Sequence, residues 1–90
     1  MNKERRKELG KAIELLETAQ NAVEEAQSII ESCKEEEEEY RDNMPENLQS
    51  SEKYELADNA CEELDQACDY LSDITDTLGD AISSVENATE

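Results

Sequence analysis

The chain has 90 residues, of which 26 are acidic and eight are basic, so its formal net charge is −18. A surface this acidic excludes nucleic-acid binding through a basic patch, and the anionic leaflet of a membrane repels it. The length allows one small domain, and no stretch approaches the roughly 20 apolar residues that span a bilayer. Three cysteines without paired spacing favour reduced thiols in the cytoplasm over a disulfide framework.

The first element in chain order is a helix predicted over residues 3–42. Apolar and small side chains recur there at alternating steps of three and four residues, the pattern of a helix packed along a seam. The row consists of Leu9, Ala12, Leu16, Ala19, Val23, Ala26, Ile30, Cys33, Glu37, Tyr40 and Met44.

A turn is predicted over residues 43–50. Pro45 cannot continue the first helix, and it biases Met44 away from helical geometry. Either Ser50 or Ser51 provides the N-cap of the next helix, because both stand just before Glu52 and a new apolar pattern.

The second helix is predicted over residues 51–88, and it has an apolar row with the same alternating steps. In both helices large residues alternate with alanine or cysteine, and small residues let two backbones approach closely. The row of the second helix consists of Ala57, Ala60, Leu64, Ala67, Leu71, Ile74, Leu78, Ala81, Val85 and Ala88.

These elements predict an all-α fold, a two-helix antiparallel hairpin that resembles a coiled coil with an Ala-rich seam and forms one domain over residues 1–90. Further apolar side chains lie beside the predicted seam, and one neighbouring helix does not cover a face this wide. We therefore expect a homo-oligomer, a dimer or larger, in which hairpins form a helical bundle. The extra residues are Ile13, Ala22 and Ile29 in the first helix and Tyr54, Cys61, Cys68 and Ile82 in the second.

Nothing in the sequence predicts catalysis or a cofactor. The chain has no histidine, the commonest general base, and it has no phosphate-binding loop or nucleophile motif. Cys33, Cys61 and Cys68 have no zinc-ligand spacing and fall on apolar rows, where cysteine behaves as a small hydrophobic residue. We therefore expect no metal site, no cofactor and no enzymatic activity.

The turn and its flanks combine aromatic rings, cations, amides and hydroxyls within fifteen residues. Tyrosine and arginine together form a platform for a nucleobase and its phosphate, and the start of the second helix favours an anion. The alternative is that the rings close the end of the bundle and the polar side chains only make the turn. The candidate ligand-binding residues are Tyr40, Arg41, Asn43, Asn47, Gln49, Ser51, Lys53 and Tyr54.

Carboxylates follow one outer face of the second helix at steps of three and four residues. Such a row resembles the phosphate spacing of a nucleic acid, so it is a candidate contact surface for a basic host protein, in the manner of a DNA mimic. The alternative is a solvated polar face with no specific role. The residues are Asp58, Glu62, Asp65, Asp69, Asp73, Asp76 and Asp80.

Five consecutive glutamates, residues 35–39, lie near the end of the first helix, where negative charge opposes the helix dipole. Glu37 interrupts the apolar row. Either it meets a cation such as Lys53 or Arg41, or the two helices are held open at this end of the hairpin for another purpose. A head-to-tail pair of hairpins would bring a basic segment to the glutamates of its neighbour. That segment contains Lys3, Arg5, Arg6, Lys7 and Lys11.

The acidic run, the turn and the alanine-rich arms resemble a group of small acidic helical-hairpin proteins encoded by phages and prophages. The likeness covers most of the chain in pattern and about a dozen residues in motif, with the turn reading N-x-P-E-x-L-Q-x-S-E. The matching residues are Tyr40, Asn43, Pro45, Glu46, Leu48, Gln49, Ser51 and Glu52.

This resemblance implies a phage context and no particular activity. Small phage proteins often disarm host defence by binding, either to nucleotide immune signals or to host proteins. We therefore expect a non-catalytic counter-defence protein in the host cytoplasm that sequesters a small anionic, nucleotide-like signal near the turn. The alternatives are an acidic inhibitor of a basic host protein and a purely structural small phage protein.

Overall fold

The computed structural model describes all 90 residues. Helix α1 spans Lys3–Asp42, a single 3-10 turn spans Glu46–Leu48, and helix α2 spans Glu52–Ala88. The two helices pack against each other along an elongated body whose Cα atoms extend over 70 × 14 × 14 Å. The prediction of an all-helical hairpin is confirmed.

Both helices begin with a side-chain cap. The Asn2 side chain accepts a hydrogen bond from the Arg5 N–H at 2.8 Å, and the Ser51 hydroxyl accepts one from the Tyr54 N–H at 3.3 Å. Ser51 is one of the two residues proposed for this role. These bonds satisfy N–H groups that have no acceptor within the first turn of a helix.

The turn is tight because short-range backbone hydrogen bonds replace the helical ones on both sides of Pro45. The N–H of Met44 donates to the carbonyl of Arg41, and the N–H of Leu48 donates to the carbonyl of Pro45 at 2.8 Å. Proline has no N–H to donate at this position, so the helix stops and restarts around it.

The seam between the helices consists of two rows of side chains on each helix, at alternating steps of four and three residues. Every member is half-buried or buried. On α1 the seam contains Leu9, Ile13, Leu16, Gln20, Val23, Gln27, Ile30, Lys34, Glu37, Arg41 and Met44. On α2 it contains Tyr54, Ala57, Cys61, Leu64, Cys68, Leu71, Thr75, Leu78, Ile82, Val85 and Thr89.

The prediction of an Ala-rich seam is therefore correct for one row of each helix and wrong for the other. The large side chains, such as Leu16 and Leu71, do face the partner helix, but half of the eight alanines are exposed, namely Ala19, Ala26, Ala81 and Ala88. The stripe of Tyr54, Cys61, Cys68 and Ile82, predicted to lie beside the seam, belongs to it. The cause is that the inner row on α1 contains long polar side chains that hydrogen-bond to α2, and alanine offers no such contact.

The core of the single hairpin is thin. Only Ala57, Cys61, Cys68 and Ile82 are buried, all of them on α2. Neither helix contains a segment that is long and apolar enough to cross a membrane.

Candidate ligand site at the interhelical turn

Polar side chains of α1 reach across the seam at every second turn of the helix. Gln20 donates to the carbonyl of Thr75 at 3.2 Å, and Gln27 donates to the hydroxyl of Ser72 at 2.9 Å. The Lys34 ammonium lies 3.0 Å from a carboxylate oxygen of Asp65. These contacts hold the two helices at one longitudinal position relative to each other.

Arg41 is the last of these crossing residues and the one nearest to the turn. Its Nε donates to Asp42 at 3.0 Å and its Nη1 donates to Asp58 at 2.9 Å. Hydrogen bonds that the Arg41 guanidinium donates to these two carboxylates, to Asp42 first, raise its pKa above the usual value. Its charge is therefore used inside the hairpin, and Arg41 is not a free cation for a ligand.

A pocket of about 650 Å³ lies at the turn, and neither Arg41 nor Asp58 lines it. It is a surface concavity between the end of α1, the 3-10 turn and the start of α2. We call it the turn pocket, and its lining residues are Tyr40, Asn43, Met44, Pro45, Leu48, Ser51, Glu52 and Lys53.

The turn pocket brings together half of the predicted ligand-binding residues, namely Tyr40, Asn43, Ser51 and Lys53. The other four lie elsewhere. Arg41 and Tyr54 are half-buried members of the seam, whereas Asn47 and Gln49 are exposed on the turn and do not line the pocket.

The lining offers the contacts that a planar ligand with a negatively charged group requires. The Tyr40 side chain is 48% exposed, so a face of its ring is accessible for stacking. The Lys53 ammonium forms no ion pair, and the first N–H groups of α2 point out of the helix at the pocket's edge. The Glu52 carboxylate stands beside Lys53 and offsets part of this positive potential.

The apolar part of the pocket, Met44 and Leu48, was not predicted as part of a ligand site: Met44 was assigned to the apolar row of the first helix and Leu48 to the turn. Leu48 ends the 3-10 turn and lines the pocket together with Met44. The one signal available was their position on either side of Pro45 in an otherwise polar connection. Apolar walls of this kind are usual in small-molecule sites, where a few polar groups fix orientation.

The acidic row of α2 is only partly free. Asp58 and Asp65 are paired with Arg41 and Lys34 across the seam. The other members form no ion pair and are exposed, and these are Glu62, Asp69, Asp73, Asp76 and Asp80.

Glu37 forms no ion pair, so the interpretation that it meets Lys53 or Arg41 is wrong. Arg41 donates to Asp42 and Asp58 instead, and Lys53 lines the turn pocket. The Glu37 side chain remains half-buried between Ile30 and Met44 in the seam of α1.

The buried cysteines are structural. Desolvation raises the pKa of both the Cys61 and the Cys68 thiols, which keeps them protonated at neutral pH. Cys33 is exposed, and no group of three or more cysteine or carboxylate side chains is arranged to hold a metal ion.

No protein-family model matches the sequence, and neither a curated protein nor a solved structure matches the chain. The function is therefore inferred from the geometry of the turn and of the two long sides of the hairpin.

Proposed function

We propose that this protein is a non-catalytic binding protein that captures a small nucleotide-like ligand in the turn pocket. In a phage context, such capture would sequester a nucleotide immune signal in the host cytoplasm. The observation that carries the proposal is the pocket of about 650 Å³, in which Tyr40, Lys53 and the start of α2 face one space. Pockets that bind small molecules commonly have volumes of about 300–1,000 Å³.

Each side chain has a distinct role in this proposal. Tyr40 stacks on the base, Lys53 and the free N–H groups of α2 neutralise the anionic group, and Asn43 fixes orientation. Met44 and Leu48 exclude water from the apolar edge of the ligand. The Ser51 hydroxyl already caps α2, so it positions the helix N-terminus and adds little direct binding.

The net charge of −18 opposes an anionic ligand at long range. Short-range contacts in the pocket must overcome this repulsion, and added salt screens it. We therefore expect the affinity for an anionic ligand to increase as NaCl rises from about 20 to about 200 mM.

The first experiment is native mass spectrometry with a panel of cyclic and ADP-ribose-type nucleotides. An increase of a few hundred daltons per site, saturable and competed by unlabelled ligand, supports the proposal. A protein that gains no mass with any member of the panel, also at 200 mM salt, contradicts it.

Matched variants locate the site for a ligand found in this way. Lys53→Ala should weaken binding by about tenfold, the loss expected for one ionic contact, whereas Asn21→Glu, with the same charge change at an exposed position far from the turn, should have no effect. Tyr40→Ala should weaken binding by tenfold to 100-fold, while Tyr40→Phe retains the stacking ring and most of the affinity. Equal losses in Lys53→Ala and Asn21→Glu would exclude the turn pocket as the site.

The free carboxylates of α2 favour a second candidate, an acidic inhibitor of a basic host protein. No cation follows Lys53 in the chain, so the exposed row has no compensating charge along α2. Replacing Asp69, Asp73 and Asp76 by asparagine should then abolish capture of a basic partner and leave ligand binding intact. Salt separates the two candidates as well, because it weakens binding of a basic partner and strengthens binding of an anion.

A further inference from the structure

One long side of the hairpin is apolar and has no partner within the chain. On α1 this side contains the row of residues that stand one position before the inner seam residues, such as Gln20 and Gln27. On α2 it contains the row that stands in the same relation to the seam. Equivalent rows of two antiparallel helices lie on the same side of the pair. We call this side the Ala-rich face, and its rows are Arg5, Ala12, Ala19, Ala26, Cys33 and Tyr40 on α1 and Ala60, Ala67, Ile74, Ala81 and Ala88 on α2.

Large apolar side chains border these rows and are exposed to solvent. Leu15 is 71% exposed, Leu56 is 62% exposed, and both Ile29 and Tyr70 are 60% exposed. Of the eight large hydrophobic side chains that are exposed in this chain, only Met1 and Leu48 lie outside the Ala-rich face and its border. A patch of this kind on a soluble surface is typical of a protein–protein interface.

The surface area agrees with an uncovered interface. The chain exposes 6692 Å², whereas a compact monomer of its mass exposes roughly 5,300 Å². The excess of roughly 1,400 Å² for one chain exceeds the roughly 800 Å² that each partner buries in a standard-size interface. The occupant must therefore cover much of one side of the hairpin.

The spacing of the Ala-rich face is self-complementary. Gln20 contacts Thr75 and Gln27 contacts Ser72, so the midpoint of the α1 row, between Ala19 and Ala26, lies level with Ile74, the midpoint of the α2 row. A two-fold axis that lies in the plane of the face at this level, perpendicular to the helices, turns a second copy end to end. The α1 rows of the two copies then face each other, and so do their α2 rows. The facing pairs are then Ala19 with Ala26, Ala12 with Cys33, Leu15 with Ile29, Ala67 with Ala81, Ala60 with Ala88, and Ile74 with itself.

Charge also selects this reversed arrangement. Residues 35–55 carry nine carboxylates and two cations, whereas residues 1–11 carry five cations and two carboxylates. Parallel copies would bring the two acidic turn ends together, and like charges at such distances repel each other. Reversed copies bring each turn end to the basic N-terminal segment of the other.

We propose that the Ala-rich face is the interface of a head-to-tail homodimer, in which two hairpins form an antiparallel four-helix bundle. Small residues at the centre of the face let the helices of the two copies approach closely, and Leu15, Ile29 and Ile74 fill the remaining space. Arg5 of the second copy meets Tyr40 at each end.

The dimer deepens the proposed function, because it adds residues to the turn pocket. A smaller depression of about 280 Å³, lined by Glu4, Arg5, Glu8 and Leu9, lies at the start of α1. The two-fold axis brings this depression of one copy to the turn pocket of the other. Arg5 then supplies the cation that Arg41, held by Asp42 and Asp58, does not provide.

Cysteine crosslinking tests the arrangement directly. Ala12→Cys should form an intermolecular disulfide with the native Cys33 of the second copy under mild oxidation, giving a covalent dimer. Positions 12 and 33 are about 32 Å apart along one helix, so they cannot bond within a chain. The matched control, Ala12→Cys with Cys33→Ser, should give no covalent dimer, and the wild-type protein should give none through Cys33 alone.

A charge on the face tests whether the interface holds the dimer together. Ala19→Glu should weaken dimerisation by about 100-fold in analytical ultracentrifugation, because it places an unpaired charge where two copies meet. Asn21→Glu adds the same charge on the opposite side of α1 and should leave the dimer intact. Circular dichroism should show both variants equally helical, since both positions are exposed in the hairpin.

Three results would overturn the proposal: a wild-type protein that remains monomeric at about 1 mM, a covalent dimer formed by wild-type Cys33, or a dimer insensitive to Ala19→Glu. None of these measurements involves a small molecule. A dimer that binds no nucleotide would contradict only the proposed function, and a monomer that binds nucleotide would contradict only the dimer.

Discussion

The two long sides of the hairpin differ in what they present to water. The Ala-rich face exposes aliphatic and aromatic carbon, whereas the opposite side, which we call the acidic side, presents carboxylates along both helices. The polar crossing residues of the seam lean toward the acidic side, where Arg41 reaches Asp58 and Lys34 reaches Asp65. The acidic side contains Glu17, Glu24, Glu31 and Glu38 on α1 and Asp58, Asp65 and Glu86 on α2.

This difference indicates which side needs a partner. Hydrated carboxylates lose free energy when they are buried without compensation, so the acidic side is stable in water. Exposed leucine and isoleucine gain about 1.5–3 kcal/mol each on full burial, so the Ala-rich face gains from being covered. A chain with a thin core and one apolar side therefore has its largest unused stabilisation on that side.

The largest expected effect compares the seam with the Ala-rich face through the same substitution. Ile82→Ala removes a buried side chain from the seam and should lower the free energy of unfolding by about 2–5 kcal/mol. Ile74→Ala should change it by less than about 0.5 kcal/mol in the monomer, because Ile74 is 44% exposed and alanine has the higher helix propensity. Urea denaturation at low protein concentration measures both values.

Protein concentration sharpens this comparison. The cost of Ile74→Ala should grow as the protein concentration increases, since the proposed dimer buries this side chain. The cost of Ile82→Ala should be large at every concentration, because Ile82 is already buried within the single hairpin. Equal costs for the two variants in dilute protein would show that Ile74 belongs to the core of the hairpin.

The second comparison uses the cysteines, one on the Ala-rich face and two in the seam. In dilute native protein, where the hairpin is monomeric, iodoacetamide should alkylate Cys33 at least about tenfold faster than Cys61 or Cys68, because only Cys33 is exposed in the hairpin. Burial raises the pKa of the Cys61 and Cys68 thiols, so less thiolate is present at pH 8 and their rates continue to rise at higher pH. Peptide mass spectrometry after timed quenching gives the three rates.

A denatured sample provides the control, since all three cysteines should then react at similar rates. Modification of Cys61 as fast as Cys33 in the native protein would mean that the seam opens near the turn.

The smallest expected effect concerns a carboxylate that lies in the seam instead of on the acidic side. Glu37→Leu should raise the free energy of unfolding by about 1 kcal/mol, because it replaces a half-buried, unpaired carboxylate with an apolar side chain. Glu35→Leu removes the same charge from an exposed position on the opposite side of α1 from the Ala-rich face and should have no comparable effect. Thermal denaturation of the two variants at matched ionic strength measures the difference.

A loss of stability in Glu37→Leu would show that the Glu37 carboxylate makes a contact at the turn end that outweighs its burial. Equal gains in both variants would assign the effect to general charge repulsion in the glutamate run.

The hairpin itself was predictable from particular residues. Pro45 ended the first helix, Ser51 capped the second, and the large residues Leu16, Val23 and Leu71 marked the side of each helix that faces the other. Local propensity and hydrophobic spacing determine these features, and both can be read along the chain.

The second row of each seam was not predictable in the same way. The large residues have a candidate row on either side, Ala19 and Ala26 on one and Gln20 and Gln27 on the other, and hydrophobicity favours the alanines. The structure uses the glutamines because their amides reach backbone and hydroxyl acceptors on α2. Such long-range pairing depends on both helices at once, and the ion pair between Arg41 and Asp58 was not predicted for the same reason.

The crossing residues also affect how the hairpin avoids misfolding. An apolar row that repeats every seven residues would pack almost as well after one helix slides along the other by about 10.5 Å. Sliding by one repeat would separate Arg41 from Asp58 and Lys34 from Asp65. Because residues 34 and 41 are seven positions apart, as are residues 58 and 65, such a slip brings one cation to the other carboxylate and leaves the second cation opposite Ser51 or Ser72. Only the correct alignment retains both ion pairs.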